Sequence, residues 1–284
     1  MNILDPIREQ YAVSGVANVF LITGNVHDFQ PVSEQLDKDQ VTPYVKLPLL
    51  LQLSLPNDFN LVGYYDLHSW KFGRNPDEEA KQMQTITAAM GNKNQGNDMA
   101  SVLNAASGST GPLSIVPRSA FKDVEDLLFS MADQPEPSPC AVIMNYTESY
   151  LASGGWGTQG DTDDMVVRLL RWARSTVIRN ASHLIILLCG EVSALHPALR
   201  DPDNGIHKIN VKFPTRPDRR GFIKDWINHT VEESAGEKQE GVETFEEGVK
   251  TLLEHIDWWK EAPVWTPETI EGATKEWFEH LSGN

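Results

Sequence analysis

Short apolar runs that alternate with helical patterns are the feature of this sequence that most constrains its fold. The runs predict five strands, at residues 18–23, 60–66, 141–145, 183–189 and 207–213. Four of the five are almost unbroken apolar segments, which is typical of strands covered on both faces. Amphipathic helices are predicted between them, notably at residues 119–133 and 163–180. This alternation predicts an α/β fold in which helices sandwich a five-stranded parallel sheet.

Two other segments differ in composition from this predicted core. Residues 73–112 are polar: their first part, PDEEAKQMQTITAAM, has a helical pattern, and the remainder around GNKNQGN, about 90–112, predicts a long mobile loop. Residues 226–284 combine many acidic residues with several tryptophans, which predicts a small helical subdomain with an acidic, solvated face. We therefore expect an α/β domain over residues 1–225 and a subdomain over residues 226–284.

Charge and cysteine content limit the environment and the partners of the chain. It has 40 acidic and 24 basic residues, a formal net charge of −16. Binding to nucleic acid or to an anionic membrane surface is therefore not expected. Its only two cysteines, Cys140 and Cys189, cannot form a disulfide scaffold. These features predict a cytoplasmic protein.

Polar residues follow the first predicted strand, at the edge where a parallel sheet binds its ligands. Gly24, Asn25, His27 and Asp28 lie there and form a candidate anion-binding or nucleotide-binding loop. The same residue types favour an ordinary strand-ending turn, because Gly and Asn tolerate positive φ. Both interpretations stay open from the sequence.

Asn145 and Glu148 follow the third predicted strand. Their side-chain oxygens are candidate ligands of a weak metal site, or polar caps at the end of a strand. The histidines are scattered and show no zinc-binding spacing with the cysteines. No metal is therefore expected.

Arg168, Arg171 and Arg174 recur at every third position along one predicted helix. Residues three apart on a helix share a face. This face either reaches the phosphates of a partner or is solvated opposite the apolar stripe.

The segment LHPALRDPDNGIHKINVKFPTRPDRRGFIKDWI resembles the second region of homology of AAA ATPases. In that family a sensor strand is followed by a short turn, a variable loop, a strand ending in proline, and an arginine before a helix. The matching residues are Leu195, Pro197, Ala198, Leu199, Arg200, Pro214 and Arg219 or Arg220. Upstream, AVIMNYTES sits where a Walker B strand belongs, and VFLITGNVHDF with NLVGYYDLHS looks like the P-loop-less N-terminal half of some large two-part AAA proteins. The resemblance covers roughly residues 5–225 and implies a sheet of the P-loop NTPase type.

The positions that bind and hydrolyse ATP in this family hold other residues here. Instead of G-x-x-x-x-G-K-[ST], the first strand is followed by GNVHDF, which contains no lysine. The Walker B position reads Asn145, with Glu148 displaced along the chain, and the sensor position reads Gly190. Arg200 matches the first interface arginine of the family, whereas the second falls near Asn204 and is missing. The resemblance therefore implies a degenerate site without catalytic residues and without a required cofactor.

Three functions follow from this comparison. The first is an AAA-like module without hydrolysis of its own, an assembly or regulatory subunit that packs through Arg200 against itself or an active AAA ATPase. The alternative is an active ATPase that uses ATP and Mg²⁺ at a non-standard site, with Glu148 and a lysine of a partner subunit. A second alternative is an adaptor that binds no nucleotide and uses the 73–112 insertion and the acidic tail as surfaces. Fold alone does not choose among them.

Overall fold

The computed structural model describes residues 4–13, 17–32, 44–55, 58–90, 113–153, 159–215, 217–219 and 221–222. The chain divides into two units, one of residues 1–40 and 44–213 and the other of residues 41–43 and 214–284. Nearly all described residues belong to the first unit. The loop predicted at about 90–112 and the subdomain predicted at 226–284 lie outside the described residues, and the domain boundary at 225 stays a prediction.

Strands alternate with helices along the described residues. The strands are β1 (Val19–Gly24), β2 (Phe29–Pro31), β3 (Tyr44–Lys46), β4 (Leu61–Tyr65), β5 (Trp70–Phe72), β6 (Cys140–Met144), β7 (Leu184–Cys189) and β8 (His207–Val211). The helices are α1 (Leu4–Arg8, continued by a π-helical turn at Glu9–Val13), α2 (Leu47–Ser54), α3 (Pro76–Met90), α4 (Pro117–Ala132), α5 (Thr147–Tyr150), α6 (Gln159–Arg174), α7 (Thr176–Asn180) and α8 (Pro197–Arg200), with a 3₁₀ turn at Val192–Ala194. None of the described helices is long and apolar enough to cross a membrane.

The central sheet has six strands in the order β5-β4-β6-β7-β1-β8. The five predicted strands are confirmed and all their neighbouring pairs are parallel. The predicted count of five is wrong by one, because β5 pairs antiparallel with β4 at the edge of the sheet. A strand of three residues is too short to show an alternating pattern in the sequence. Strands β2 and β3 form a separate antiparallel pair.

Helix boundaries differ from the prediction where capping residues act. The helix predicted at 163–180 is two helices, because the Ser175 hydroxyl accepts the N–H of Ile178 and begins α7. Helix α4 begins at Pro117 and α2 has Pro48 in its first turn. Proline is tolerated there because the first-turn N–H groups have no partner within the helix. Pro48 therefore fits the first turn of α2 without interrupting the helix.

Both faces of the sheet are buried. Successive strand residues point to opposite faces, and the side chains on each face belong to an apolar cluster. In β1, Val19 and Leu21 belong to one apolar cluster, together with Trp172 of α6. Phe20 and Ile22 belong to the cluster on the other face, together with Leu47, Leu50 and Leu51 of α2. The continuous apolar runs of the sequence thus result from helices on both sides of the sheet.

A buried carboxylate joins two helices of the first cluster. Glu125 of α4 forms ion pairs with Arg168 and Arg171 of α6 and accepts a hydrogen bond of 2.9 Å from the Trp172 indole N–H. Burying a carboxylate is costly unless cations and donors compensate it, and here three groups do so. Arg168 and Arg171 therefore bind Glu125 within the molecule, which the sequence pattern did not predict, whereas Arg174 on the same face is exposed.

A buried histidine connects β6, β7 and α4. His183 precedes β7 and is fully buried. Its Nδ1 accepts the N–H of Cys140 at 3.2 Å and its Nε2 lies 3.0 Å from the carbonyl oxygen of Leu128. These partners require a neutral ring with the proton on Nε2. Burial lowers the pKa of His183 to about 4.

We predict that His183 makes the folded chain sensitive to acid. The ordinary pKa of a histidine is 6.5, and that of His183 is about 4. Between these two pH values the unfolded chain takes up a proton at this ring and the folded chain does not. The free energy of unfolding therefore decreases as the pH falls. The loss reaches about 3 kcal/mol for a shift of this size. In urea titrations, His183→Gln is less stable than wild type at pH 7, and the difference shrinks by about that amount at pH 4.

The difference between the two chains is the quantity to measure, because Asp123 acts in the opposite direction. Burial raises the pKa of Asp123 to about 6, so its contribution to stability increases as the pH falls, equally in both chains. The exposed His68→Gln variant is the control for replacing a histidine outside the core. A difference between wild type and His183→Gln that does not change with pH would contradict the prediction.

Candidate functional site

The parallel strands bring several of the predicted site residues to one edge of the sheet. Strand β1 lies between β7 and β8, with Thr23 paired to Cys189 and Gly24 paired to Val211. The residues that follow β1, β6 and β7 therefore meet at the carboxyl-terminal edge of the sheet, where ligands of such folds bind. We call this the carboxyl edge.

The turn after β1 satisfies its own polar groups. The Asn25 side-chain amide donates to Asp28 Oδ2 at 2.7 Å, and the N–H of Phe29 donates to Asp28 Oδ1 at 2.8 Å. The backbone N–H of Asn25 donates to the carbonyl of Val211 at 3.0 Å. Gly24 has φ +88°, and a Cβ there would lie 2.6 Å from the Val211 carbonyl oxygen. Only glycine fits this position without strain.

The first N–H groups of helix α2 are not free to bind a ligand at this turn. After the turn the chain continues directly as β2, and the next described helix, α2, begins at Leu47. The N–H of Leu47 donates to the carbonyl of Asp28 at 3.3 Å, and Pro48 has no N–H. Since a phosphate loop uses such N–H groups directly after the first strand, this arrangement differs from a phosphate-binding loop.

Asn145 is buried at the end of β6, and both its amide group and its oxygen form hydrogen bonds within the protein. Its amide group donates to the Tyr64 hydroxyl at 2.8 Å, and its Oδ1 accepts the N–H of Tyr146 at 3.0 Å. The Tyr150 hydroxyl donates to the Asn145 carbonyl at 3.2 Å. Burial raises the pKa of Tyr64 to about 12, so its hydroxyl stays protonated. These contacts make Asn145 a polar cap of the strand end.

Glu148, Gly190 and His27 lie together at the carboxyl edge. A Cβ added to Gly190 would lie 3.3 Å from Glu148 Oε1 and 3.7 Å from the His27 ring. The His27 ring stacks on Tyr146, with ring centroids 4.9 Å apart. Tyr146 has φ +53°, an uncommon backbone conformation for a non-glycine residue. Glu148 Oε2 is buried and has no hydrogen-bond partner among the described residues.

The cysteine beside this group is not arranged as a nucleophile. Cys189 is fully buried, and burial together with the neighbouring Glu148 carboxylate raises the pKa of its thiol to about 12. A thiol must ionise to react. Thr147, which follows the same strand as Glu148, donates its hydroxyl to the Leu188 carbonyl at 2.9 Å and ties this loop to β7.

Among the described residues, no three histidine, cysteine or acidic side chains lie together as a metal site would require. Mg²⁺ takes oxygen ligands and is usually held by one or two carboxylates together with phosphate oxygens. The Asn145 oxygen already accepts the N–H of Tyr146, and the turn after β1 contains no lysine or arginine that could bind phosphate. The residues present therefore do not fit ATP with Mg²⁺.

Arg200 lies apart from this group of contacts. It is the last residue of α8 and is exposed. Its carbonyl accepts a hydrogen bond of 2.9 Å from the Lys208 ammonium on β8. Asn204, at the position of the missing second arginine, is buried and donates its amide to the carbonyls of Ala198 and Leu199, both at 2.9 Å. Asn204 thus stabilises the turn that presents Arg200.

The contacts that organise the carboxyl edge include residues that the sequence did not single out. The sequence predicted a strand at Tyr64 and a loop at Tyr146, but it indicated no contact for either side chain. Tyr64 is 81 positions from its partner Asn145. No local pattern encodes a contact at that separation, so only the register of β4 beside β6 reveals it.

Comparison with known proteins identifies one family. Residues 5–212 match the model of the AAA+ chaperone, N-terminal Rossmann-like domain. No curated protein sequence matches the chain. Among solved structures, a chain of the E. coli MS115-1 HORMA:CdnC:Trip13 complex is similar with a TM-score of 0.41 and 10% identity, over 87% of this chain and 66% of that chain. The chain thus covers slightly less than two thirds of that structure, and so low a TM-score supports no functional conclusion.

We predict that the turn after β1 tolerates no side chain at Gly24. Gly24→Ala should lower the free energy of unfolding by about 2 kcal/mol or more, because of the positive φ and the contact with the Val211 carbonyl. Gly160→Ala is the matched control: Gly160 lies in α6 with nothing within 4 Å of its would-be Cβ, and should gain a few tenths to about 1 kcal/mol. Equal effects in urea titrations would contradict the assigned geometry.

Proposed function

Because the chain belongs to the family of AAA+ chaperone N-terminal Rossmann-like domains, we propose that it is an AAA module that does not hydrolyse ATP. In this proposal it acts in the cytoplasm, without a cofactor, as an assembly or regulatory subunit. Its partner is a second copy of itself or an active AAA ATPase, and the exposed Arg200 is part of the interface.

The contacts of Asn145 are the observation that carries this proposal. Its amide and its oxygen both bind groups of the protein, Tyr64 and Tyr146. Turning the Asn145 side chain to present its oxygen to Mg²⁺ would break both contacts, and each buried polar group left without a partner costs roughly 1–3 kcal/mol. The amide is also neutral, whereas Mg²⁺ sites in proteins use carboxylates.

The charge of the carboxyl edge supports the same conclusion. Phosphoryl transfer depends on positioning and on neutralising the phosphate charges. The turn Gly24–Asp28 offers a carboxylate at Asp28 and no lysine. Losing one charge-stabilising group typically lowers the rate by about 10²–10³, so the combined replacements leave little catalytic capacity.

One observation favours the alternative, a module that binds nucleotide. Lys46 is exposed at the residue preceding α2, and its β-sheet partner Phe29 directly follows the turn after β1. A lysine at the start of a helix can bind phosphate as a point charge. If the chain binds nucleotide at this edge, Lys46→Met should weaken the binding. If it binds nucleotide elsewhere, the variant should leave the affinity unchanged. An adaptor that uses the 73–112 insertion and the acidic tail would also bind no nucleotide.

We predict that the full chain shows no Mg²⁺-dependent binding of a fluorescent ATP analogue at micromolar concentration and releases no phosphate above the Glu148→Gln control. Asn145→Asp should not create activity, because a single carboxylate restores neither the phosphate loop nor the sensor amide. Micromolar binding that Lys46→Met abolishes would overturn the proposal.

The oligomeric state of the chain distinguishes the assembly-subunit hypothesis from the adaptor hypothesis. Native mass measured for the full chain and for a chain lacking residues 226–284 should show the same oligomer if assembly runs through the α/β domain. Arg200→Glu should reduce that oligomer, whereas Arg179→Glu, an exposed arginine on α7, is the control. An oligomer that disappears with the tail and ignores Arg200→Glu supports the adaptor instead.

A further inference from the structure

Helix α8, which ends at Arg200, is held in place by side chains outside the helix. It contains only four residues, and an isolated helix of that length is not stable in water. Leu199 is fully buried and anchors the helix in the first apolar cluster. At the start of the helix the Ala198 N–H donates to His196 Nδ1 at 3.2 Å. The position of α8 therefore depends on contacts that other parts of the chain supply.

The carbonyls at the end of α8 are capped by two side chains. The Lys208 ammonium donates to the Arg200 carbonyl at 2.9 Å and also to the Asp201 carbonyl. The Asn204 amide binds the two preceding carbonyls. The last carbonyls of a helix have no partner within it, and a lysine is suited to bind them. Desolvation lowers the pKa of Lys208, and the Asp201 and Asp203 carboxylates act in the opposite direction.

The loop between α8 and β8 is ordered by its own hydrogen bonds. Asp201 and Asn204 each accept, at 2.9 Å, the backbone N–H of the residue two positions later. Asn204 is also buried. These bonds fix the loop and leave the Arg200 carbonyl to Lys208. Lys208 is thus the side chain that fixes the last residue of the helix.

Strand β8 connects this cap to the central sheet. Lys208 pairs with Leu21 of β1. The neighbouring Ile209 and Val211 are buried in the second apolar cluster. Since strand side chains alternate between faces, Lys208 lies on the opposite face, where α8 packs. The bond from Lys208 therefore sets the backbone of Arg200 relative to the sheet.

We propose that Lys208 is a positioning residue for assembly. It fixes the backbone of Arg200, so that the exposed arginine side chain meets its partner from one direction. This inference rests on the proposed function, in which Arg200 is part of the interface. A residue that is fixed before contact loses less conformational entropy on binding. The cap is exposed, and water can replace Lys208 at the two carbonyls, so its loss should loosen the turn without unfolding the domain.

The test begins with the dissociation constant of the full-chain oligomer, measured by analytical ultracentrifugation. Lys208→Met removes the donor and should raise this constant about tenfold, the effect of losing one hydrogen bond from a charged group. Lys208→Arg can donate to the same carbonyls and should stay within threefold of wild type. Lys212→Met removes the same charge from an exposed position just after β8 and should stay within twofold.

Two further measurements separate positioning from direct contact with the partner. If Lys208 acts through Arg200, adding Lys208→Met to Arg200→Ala should weaken assembly no further than Arg200→Ala alone. In the dissociated chain, the amides of residues 197–206 should exchange about tenfold faster in Lys208→Met than in wild type. The amides of β7 should exchange at the wild-type rate, which shows that the fold is intact.

The outcomes distinguish this inference from the proposed function. If Lys208→Met assembles like wild type while Arg200→Ala does not, the inference is overturned and the proposed function stands. Additive effects of the two substitutions, or unchanged exchange over residues 197–206, would also exclude positioning through Arg200. A wild-type chain that stays monomeric, or an oligomer that ignores Arg200→Ala, would overturn the inference together with the self-assembly on which it rests.

Discussion

The parallel pairing of β1 with β7 on one side and β8 on the other is the constraint on which this structure depends. It sets Gly24 against Val211 so closely that a Cβ would lie 2.6 Å from the Val211 carbonyl oxygen. It also aligns the ends of β1 and β7, so that the loops carrying His27 and Gly190 meet. The apolar residues of β1 pack on both faces of the sheet. Backbone pairing and burial therefore stabilise the fold, and these do not require that the loops bind a ligand.

Most polar groups described at the carboxyl edge form hydrogen bonds with one another. Asn145 binds Tyr64 and Tyr146, and Asp28 binds Asn25 and the next backbone N–H. A phosphate site would keep such groups available for an incoming ligand, whereas here they stabilise the loops. Glu148 differs, because its Oε2 is buried and has no hydrogen-bond partner among the described residues.

The sequence predicted the parts of the fold that depend on local pattern. The five parallel strands are continuous apolar runs, and the edge where their loops meet follows from parallel topology alone. The break at Ser175 and the three-residue β5 were missed, because a single cap and a very short strand leave no periodic pattern. The pairs Glu125–Arg168 and Tyr64–Asn145 were also missed, since they join residues 43 and 81 positions apart. Such contacts depend on register and helix packing, which a single sequence does not encode locally.

Amide hydrogen exchange tests the central claim, that the carboxyl edge has kept its shape and lost its nucleotide chemistry. The exchange rates of residues 24–31, 145–151 and 190–195 are compared in the full chain with and without saturating Mg·ATP. Ligands that bind a folded state slow the local opening of the segments they contact. The account predicts the same rates in all three segments under both conditions. Slower exchange in these segments with Mg·ATP would contradict it.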